Sequence, residues 1–317
     1  MKHIMIDADT GIDDSIAILY ALTRETLRVE GITTCFGNSG AARSAQNSIR
    51  LIGISACGYE VPVAVGAECS IDGEYQASPT HIHGENGIGN VELPQSRQKP
   101  LDIAAEDLII QKAEELGGEL ILVTTGRLTN LAKALMKDPG LPRKIKKVVT
   151  MGGCLYTHGN VTPYAEANIY GDPRAADMVL RAGFNMILVG LDVTTRTFIT
   201  QKDLDDLDAY CAGKNRPMAE YMKKALKHYF EFHRVSEGMA GRCFVHDPLA
   251  MLIAEDPGLG EYKMLSTGVE YKAEDFRGML LTDGRYHSTM THDEIAICTK
   301  VDSARAIRRL FGAFYGK

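Results

Sequence analysis

Five short apolar runs constrain this chain more than any other feature: "HIMIDA" (3–8), "VEGITTCFG" (29–37), "ELILVTT" (119–125), "KKVVTMGG" (146–153) and "NMILVGLDV" (185–193). Side chains along a strand point alternately to the two faces of its sheet, so a strand wetted on one face alternates polar with apolar residues. These runs barely alternate. Their near-continuous Val, Ile and Leu content is the pattern of parallel strands covered on both faces. Between them, residues 14–25, 41–54, 103–116 and 128–136 carry apolar residues at spacings of three and four, the period of an amphipathic helix. The expectation is an α/β fold: a single large domain over residues 1–317, with a mostly parallel, Rossmann-like central sheet flanked by helices. Residues 201–234 read as helical with a break near "AGKNRP". Two later runs, "EYKMLSTGVEY" and "EIAICTKV", flank the turn-rich "LTDGRYHS" and predict a C-terminal helical and β-hairpin extension.

In open α/β sheets, ligands bind beyond the carboxyl ends of the strands. Four of the expected ends lead directly into polar or Gly-rich stretches, "DADTGIDD", "FGNSG", "TTGRLTN" and "MGGC", which parallel strands would bring together. The first of these crowds Asp7, Asp9, Asp13 and Asp14 into eight positions. Carboxylates that close repel one another, and a divalent cation relieves the repulsion. With no His or Cys beside them, an all-oxygen ligand set favours Ca2+ or Mg2+ over zinc. Capping of a following helix accounts for Asp13 and Asp14, but not for Asp7 and Asp9. An EF-hand loop starting at Asp7 would need Gly and Glu where Ile12 and Ile18 stand, so that reading fails. A strand followed by Asp-x-Asp also fits a haloacid-dehalogenase-like phosphatase, with Asp7 as nucleophile and Mg2+ as cofactor.

Further along, Asn38 sits between glycines in "FGNSG", and "THIHGENGIGN" packs His81, His83 and Glu85 into a Gly-rich loop suited to covering a site. "NVTPYAEANIYGDP" brings Asn160, Glu166 and Asn168, whose donors and acceptors together suit sugar hydroxyls. "FVHDPLAM" places His246 and Asp247 at an expected helix start. A net charge of −6 gives no electrostatic footprint for a nucleic acid polymer or an anionic membrane. Seven scattered cysteines with no CxxC pair fit buried thiols in a reducing compartment. The N-terminus enters the acidic stretch without an apolar signal core, and no run approaches the roughly 20 apolar residues of a membrane span. A cytoplasmic protein is expected.

Taken in order, Asp7-x-Asp9-x-Gly11-x-Asp13-Asp14, Gly37-Asn38, "HIHGENG" from His81, "LTNLA" from Leu128, "MGG" from Met151, "AEANI" around Glu166 and "VHDP" ending at Pro248 resemble the inosine-uridine-preferring nucleoside hydrolase family. The resemblance implies Ca2+-dependent hydrolysis of the N-glycosidic bond of ribonucleosides to ribose and a free purine or pyrimidine base, by direct attack of a metal-bound water. It implies a Ca2+ held by Asp9, Asp14, the carbonyl of Thr125 and Asp247, with Asp9 also the general base. Asp13 and Asn38 would hold the ribose diol, Asn160, Glu166 and Asn168 the remaining ribose oxygens, and His81 would also touch substrate. His246 would protonate the leaving base. The implied assembly is a homodimer or homotetramer, and the partner a small-molecule ribonucleoside. Beside the phosphatase, a ribose- or nucleoside-binding protein without catalysis is the remaining alternative.

Several residues depart from the family's pattern. Ala167 stands where many members carry an aromatic residue, and Arg127 where Pro or Gly usually precedes "LTN". No Trp is present for stacking, leaving Tyr229, Phe230 or Tyr164. Arg234 and Arg242 precede "HDP" in a stretch expected to shape the base pocket.

Overall fold

The computed structural model describes residues 1–285, 290 and 292–315; Tyr286, His287 and Ser288 of the expected C-terminal turn lie outside the described residues. Its strands are β1 (Lys2–Ala8), β2 (Leu27–Thr34), β3 (Val63–Val65), β4 (Leu120–Thr124), β5 (Lys147–Met151), β6 (Met186–Val189), β7 (Phe198–Thr200), β8 (Arg242–Phe244), β9 (Gly260–Val269), β10 (Leu280–Thr282) and β11 (Glu294–Val301). Among the described residues, nine of them form one sheet in the order β10-β9-β11-β6-β5-β4-β1-β2-β3. From β11 to β3 every neighbouring pair is parallel.

The apolar runs are continuous because the sheet is covered twice. Ile4, Ile6 and Ala8 of β1 and Ile121 and Val123 of β4 join an apolar layer with the helices Ile12–Thr23, Arg216–Ser236 and Asp247–Glu255. The intervening Met5, Leu120 and Leu122 join a second layer with the helices Ala105–Glu115, Thr129–Lys137 and Pro173–Leu180. Each fully buried Ile or Leu contributes about 1.5–3 kcal/mol, and the polar residues buried in these strands, Asp7 and Thr124, are hydrogen-bonded to neighbours.

The structure adds detail at three places. The run 185–193 ends as a strand at Val189, because Gly190 begins a short helix, Leu191–Thr194, and Leu191 N–H bonds Gly153 O across the strand ends. The two expected C-terminal runs pair antiparallel, β9 with β11, and β11 also pairs parallel with β6, so this extension continues the main sheet. A small ribbon, β7 with β8, goes unseen in the sequence because each strand has three residues. That ribbon carries the chain to His246 and Asp247. No helix among the described residues is long and apolar enough to cross a membrane.

Candidate active site

The four polar stretches converge as expected. The ends of β1, β2, β4, β5 and β6 surround a cleft of about 280 Å³, and the β8 exit closes its side. The chain leaves β1 at Ala8 and enters a helix at Ile12, leaving no room for the acids of this turn to reach solvent. Asp9 and Asp14 are fully buried and Asp13 is 7% exposed. Asp14 Oδ2 accepts the Gly11 N–H at 2.8 Å, which closes the helix start, and its Oδ1 accepts the Thr125 hydroxyl at 2.6 Å. Asp247 arrives from the opposite side as the first residue of its helix.

Among the described residues, Asp13, Asp14 and Asp247 each offer a carboxylate oxygen, all within 4.8 Å of one another. Burial, reinforced by the charge of Asp14, pushes the Asp13 carboxyl up to about 7. Burial and then the charges of Asp13 and Asp14 raise Asp247 well above the carboxylate range. Asp13 Oδ1 is buried with no hydrogen-bond partner among the described residues. An unpaired buried carboxylate oxygen facing two further carboxylates is a poor arrangement for anything but a cation. The three acids therefore fit a hard divalent ion.

Asp9, expected among the metal ligands, accepts hydrogen bonds from Arg127 and Asn38. Its Oδ2 accepts from Arg127 Nη1 at 2.5 Å and from the Asn38 backbone N–H at 2.8 Å, and its Oδ1 accepts from Asn38 Nδ2 at 3.2 Å. Burial and the charge of Asp14 raise its pKa well above the usual range, against the lowering influence of Arg127. The Thr125 carbonyl, also expected on the metal, accepts Asn168 Nδ2 at 2.8 Å. Asp7 turns away from the cleft. Its Oδ1 accepts from Thr33 Oγ at 2.7 Å and Asn130 Nδ2 at 2.8 Å, and burial raises its pKa to about 6. As a strand residue before the turn it faces the sheet neighbours, so the phosphatase reading lacks a nucleophile in the cleft.

One side of the cleft presents amides and a carboxylate. Asn38 Nδ2 is shared between Asp9 and Asp14, which leaves its Oδ1 for a ligand. Asn160 is exposed, its Oδ1 accepting the Ala167 N–H at 3.0 Å. Glu166, expected to grip a sugar hydroxyl, has both oxygens on peptide N–H groups: Asn168 at 2.9 Å, Ile169 at 3.2 Å and Gly153 at 2.9 Å. It caps the helix Ala167–Gly171 and ties the loop after β5 to it. Asn168 is consequently held with Nδ2 toward Thr125 O and Oδ1 3.2 Å from Arg127 Nη1.

The other side is aromatic. Tyr229 and Phe232 lie nearly parallel with centroids 6.2 Å apart, and Phe244 sits 5.7 Å from His246. His246 Nδ1 meets Thr194 Oγ at 2.8 Å, leaving Nε2 for other partners, and burial lowers its pKa to about 3. His81 is exposed, edge-on to Phe232, and outside the lining. Its neighbour His83 stands there instead, accepting the Ile12 N–H on Nδ1 at 3.2 Å; burial, followed by the charge of Arg127, lowers its pKa to about 3. Arg234 points outward to Glu231, and Arg242 lies over Phe198 4.7 Å from the ring centre, so neither forms part of the cleft wall. Phe230 is buried behind the wall and Tyr164 packs on Phe276. Sequence reasoning missed His83, Phe232 and Phe244 as wall residues; "HIHG" held the first, but which of its two histidines faces inward depends on a one-turn helix, Thr80–His83.

The family described as "Inosine-uridine preferring nucleoside hydrolase" matches residues 4–308. The chain is 38% identical over 265 residues to "Uridine nucleosidase 1" of Arabidopsis thaliana, covering 83% of this chain and 77% of that one. Among solved structures it is similar to the plant nucleoside hydrolase PpNRh1, with a TM-score of 0.93 and 32% identity over 100% of this chain and 99% of the other. It is also similar to the purine-preferring ribonucleoside hydrolase from Gardnerella vaginalis, with a TM-score of 0.90 and 32% identity over 99% and 98%.

Proposed function

The chain belongs to the inosine-uridine preferring nucleoside hydrolase family, enzymes that act on N-glycosyl bonds, and from that premise we propose that it hydrolyses ribonucleosides to ribose and a free base with the aid of Ca2+. One observation carries the reading: a single cleft is lined by Asp13 and Asp247, with Asp14 buried beside them, by the amides of Asn38, Asn160 and Asn168, and by an aromatic wall that includes His246. Breaking an N-ribosidic bond builds positive charge on the anomeric carbon and ring oxygen, as in glycoside hydrolysis. Buried carboxylates and amide oxygens on the sugar side stabilise that charge where it develops. A divalent ion held by Asp13, Asp14 and Asp247 would offset their mutual repulsion, orient a ribose diol and acidify a water.

The chain's own groups do the rest. Asp9, kept in place by Asn38 and Arg127, accepts the proton of the attacking water. Asn38 Oδ1 and the Asn160 and Asn168 amides bind ribose hydroxyls. Tyr229 and Phe232 take the base against their faces, and His246 supplies the proton that lets it leave neutral. Burial favours the neutral imidazole at rest, so the acid is the imidazolium formed by uptake of one proton from solvent; it returns to neutral imidazole when that proton passes to the departing base, and Asp9 later returns the water's proton to solvent. The cytoplasm as compartment and a homodimer or homotetramer as assembly complete the reading, the latter checked by light scattering.

The test is a panel of purified-protein assays on uridine, cytidine, inosine and guanosine, measuring reducing sugar and free base. We expect stoichiometric ribose and base, at least a tenfold loss with 2′-deoxyuridine, arrest by EDTA and recovery with CaCl2. Uridine leads the panel because the 38% identical relative is named a uridine nucleosidase. Phosphate release from a nucleotide with its base still attached, or tight nucleoside binding with no turnover, would refute the proposal.

A further inference from the structure

The run "NMILVGLDV" leaves the sheet at Gly190, and the turn that follows serves two sides of the cleft at once. A Cβ on Gly190 would stand 2.7 Å from the Gly153 carbonyl oxygen, so the β6 exit packs directly on the β5 exit. Leu191 N–H donates to that same oxygen at 2.9 Å. Asp192, buried, accepts the Leu155 N–H at 2.9 Å and the Tyr156 N–H at 2.6 Å. The helix Leu191–Thr194 is therefore fastened to the loop that leads to Asn160 and Glu166.

Its last residue serves the opposite wall. Thr194 is fully buried, and its Oγ lies 2.8 Å from His246 Nδ1. The backbone before His246 is held by the same segment: Val245 N–H donates to Thr197 O at 3.1 Å, and Phe244 pairs with Phe198 in the β7–β8 ribbon. Those bonds place the His246 backbone but leave its ring free to turn about two side-chain torsions. Among the described residues, the Thr194 hydroxyl is the one hydrogen-bond partner of that ring. Thr194 does not line the cleft, so it can act there only through the imidazole.

We propose that Thr194 is the positioning residue of His246: its hydroxyl holds Nδ1, so that Nε2 faces the base end of the cleft. The inference rests on the reading of His246 as proton donor to the leaving base. In that step the Nε2 proton passes to a ring nitrogen of the base, while the electron pair of the breaking C1′–N bond retreats into the base. Nδ1–H stays on Thr194 Oγ before the transfer and after it, and a hydroxyl oxygen accepts it in both states. A donor atom displaced by about 1 Å costs on the order of a hundredfold in rate, which is what an untethered ring would lose.

The test is steady-state kinetics of the full-length protein in excess CaCl2 on uridine, inosine and a nitrophenyl riboside, beside thermal unfolding. Thr194→Val keeps the shape of the side chain and removes the hydroxyl, whereas Thr194→Ser keeps the hydroxyl and removes the methyl. Thr194→Val should lower kcat for uridine and inosine by about tenfold to a hundredfold, with KM within about threefold because other groups hold the ribose. Its kcat on the nitrophenyl riboside, whose leaving group needs no proton, should stay within about threefold of wild type. Thr194→Ser should stay within about threefold on all three substrates. Added to His246→Ala, Thr194→Val should cost no more than about a further threefold, because the two residues act as one unit.

Wild-type uridine turnover in Thr194→Val overturns the proposal, as do equal losses on uridine and the nitrophenyl riboside, a Thr194→Ser enzyme as slow as Thr194→Val, or full additivity with His246→Ala. If Thr194→Val does not fold, Thr194→Ala carries the same expectations and the same refutations. Should His246→Ala slow both classes of substrate equally, the reading of His246 fails and this inference with it. A wild-type protein that turns over none of the three substrates refutes the proposed activity itself, and the inference falls too. A His246→Ala enzyme that spares only the nitrophenyl riboside, beside a Thr194→Val enzyme that spares all three, refutes the inference alone.

Discussion

Glu166→Gln separates two jobs that one carboxylate could have in this site. The structure commits Glu166 to three peptide N–H groups, those of Gly153, Asn168 and Ile169, in a position 2% exposed. A glutamine of the same shape keeps one acceptor. With its oxygen in the place of Oε2 it retains the bonds from Gly153 and Ile169 and one of the two from the shared Asn168 N–H, and its NH2 then stands beside that same N–H, donor against donor. Hydrogen bonds to a charged acceptor are worth roughly 1 kcal/mol more each than neutral ones. Weakening three of them costs about 3 kcal/mol, offset in part because burial already raises the Glu166 pKa and a neutral amide is cheaper to bury.

A net loss of about 2 kcal/mol remains. With about 2.1 cal/mol/K of unfolding entropy per residue, a 317-residue chain loses about 3 °C in Tm for that cost. The same change loosens Asn168, two residues on, so kcat/KM for uridine should fall by about tenfold to a hundredfold, an interaction worth about 1.4–2.7 kcal/mol. Differential scanning calorimetry at pH 7.5 and initial rates on one preparation give both numbers. A Glu166→Gln enzyme that melts with wild type while losing activity would refute the reasoning, because Glu166 would then act on the substrate and not on the loop.

Two further outcomes follow from other parts of the molecule. Replacing His246 with Ala should slow uridine or inosine hydrolysis at least a hundredfold while sparing a nitrophenyl riboside, whose leaving group needs no proton; equal losses on both substrates would remove His246 from that role. Glu255 binds Arg24 at 2.9 Å and Arg309 at 3.0 Å and also accepts from Tyr20 and Thr26. Burial alone would raise its pKa, but these hydrogen bonds and the Arg24 charge outweigh it and hold the carboxyl down to about 2. A depressed acid contributes stability above its unfolded pKa of about 4.5 and loses it as pH falls toward 2. Glu255→Gln should therefore cost about 3 kcal/mol in urea unfolding at pH 7 and much less at pH 3; a cost independent of pH would show that packing, not charge, makes the difference.

The predicted helices were legible within a few residues because their apolar spacing reports which side meets the sheet. The expected 14–25, 41–54, 103–116 and 128–136 became Ile12–Thr23, Ala41–Ser55, Ala105–Glu115 and Thr129–Lys137. The three-residue strands β3, β7, β8 and β10 were not legible, since three residues carry no period. The gathering of "DADTGIDD", "FGNSG" and "TTGRLTN" followed from parallel strands alone, whose loops of one kind must share one edge.

Read by itself, the sequence determines that the sheet is parallel and doubly covered, that acids and amides gather at its carboxyl edge, and which family the motifs resemble. Composition and period suffice for that, because hydrophobic burial is non-directional and registers only which residues are apolar. What each acid does was decided by the tertiary structure alone. Asp7, Asp9, Asp13 and Asp14 differ little as residues, yet Asp7 turns to Thr33 and Asn130, Asp9 to Arg127, and Asp13 and Asp14 to Asp247. Hydrogen bonds and ion pairs act over about 3 Å and depend on direction. Their partners come from β2, the β4 exit and the helix at Asp247, up to 234 positions away along the chain, and no local pattern encodes that geometry.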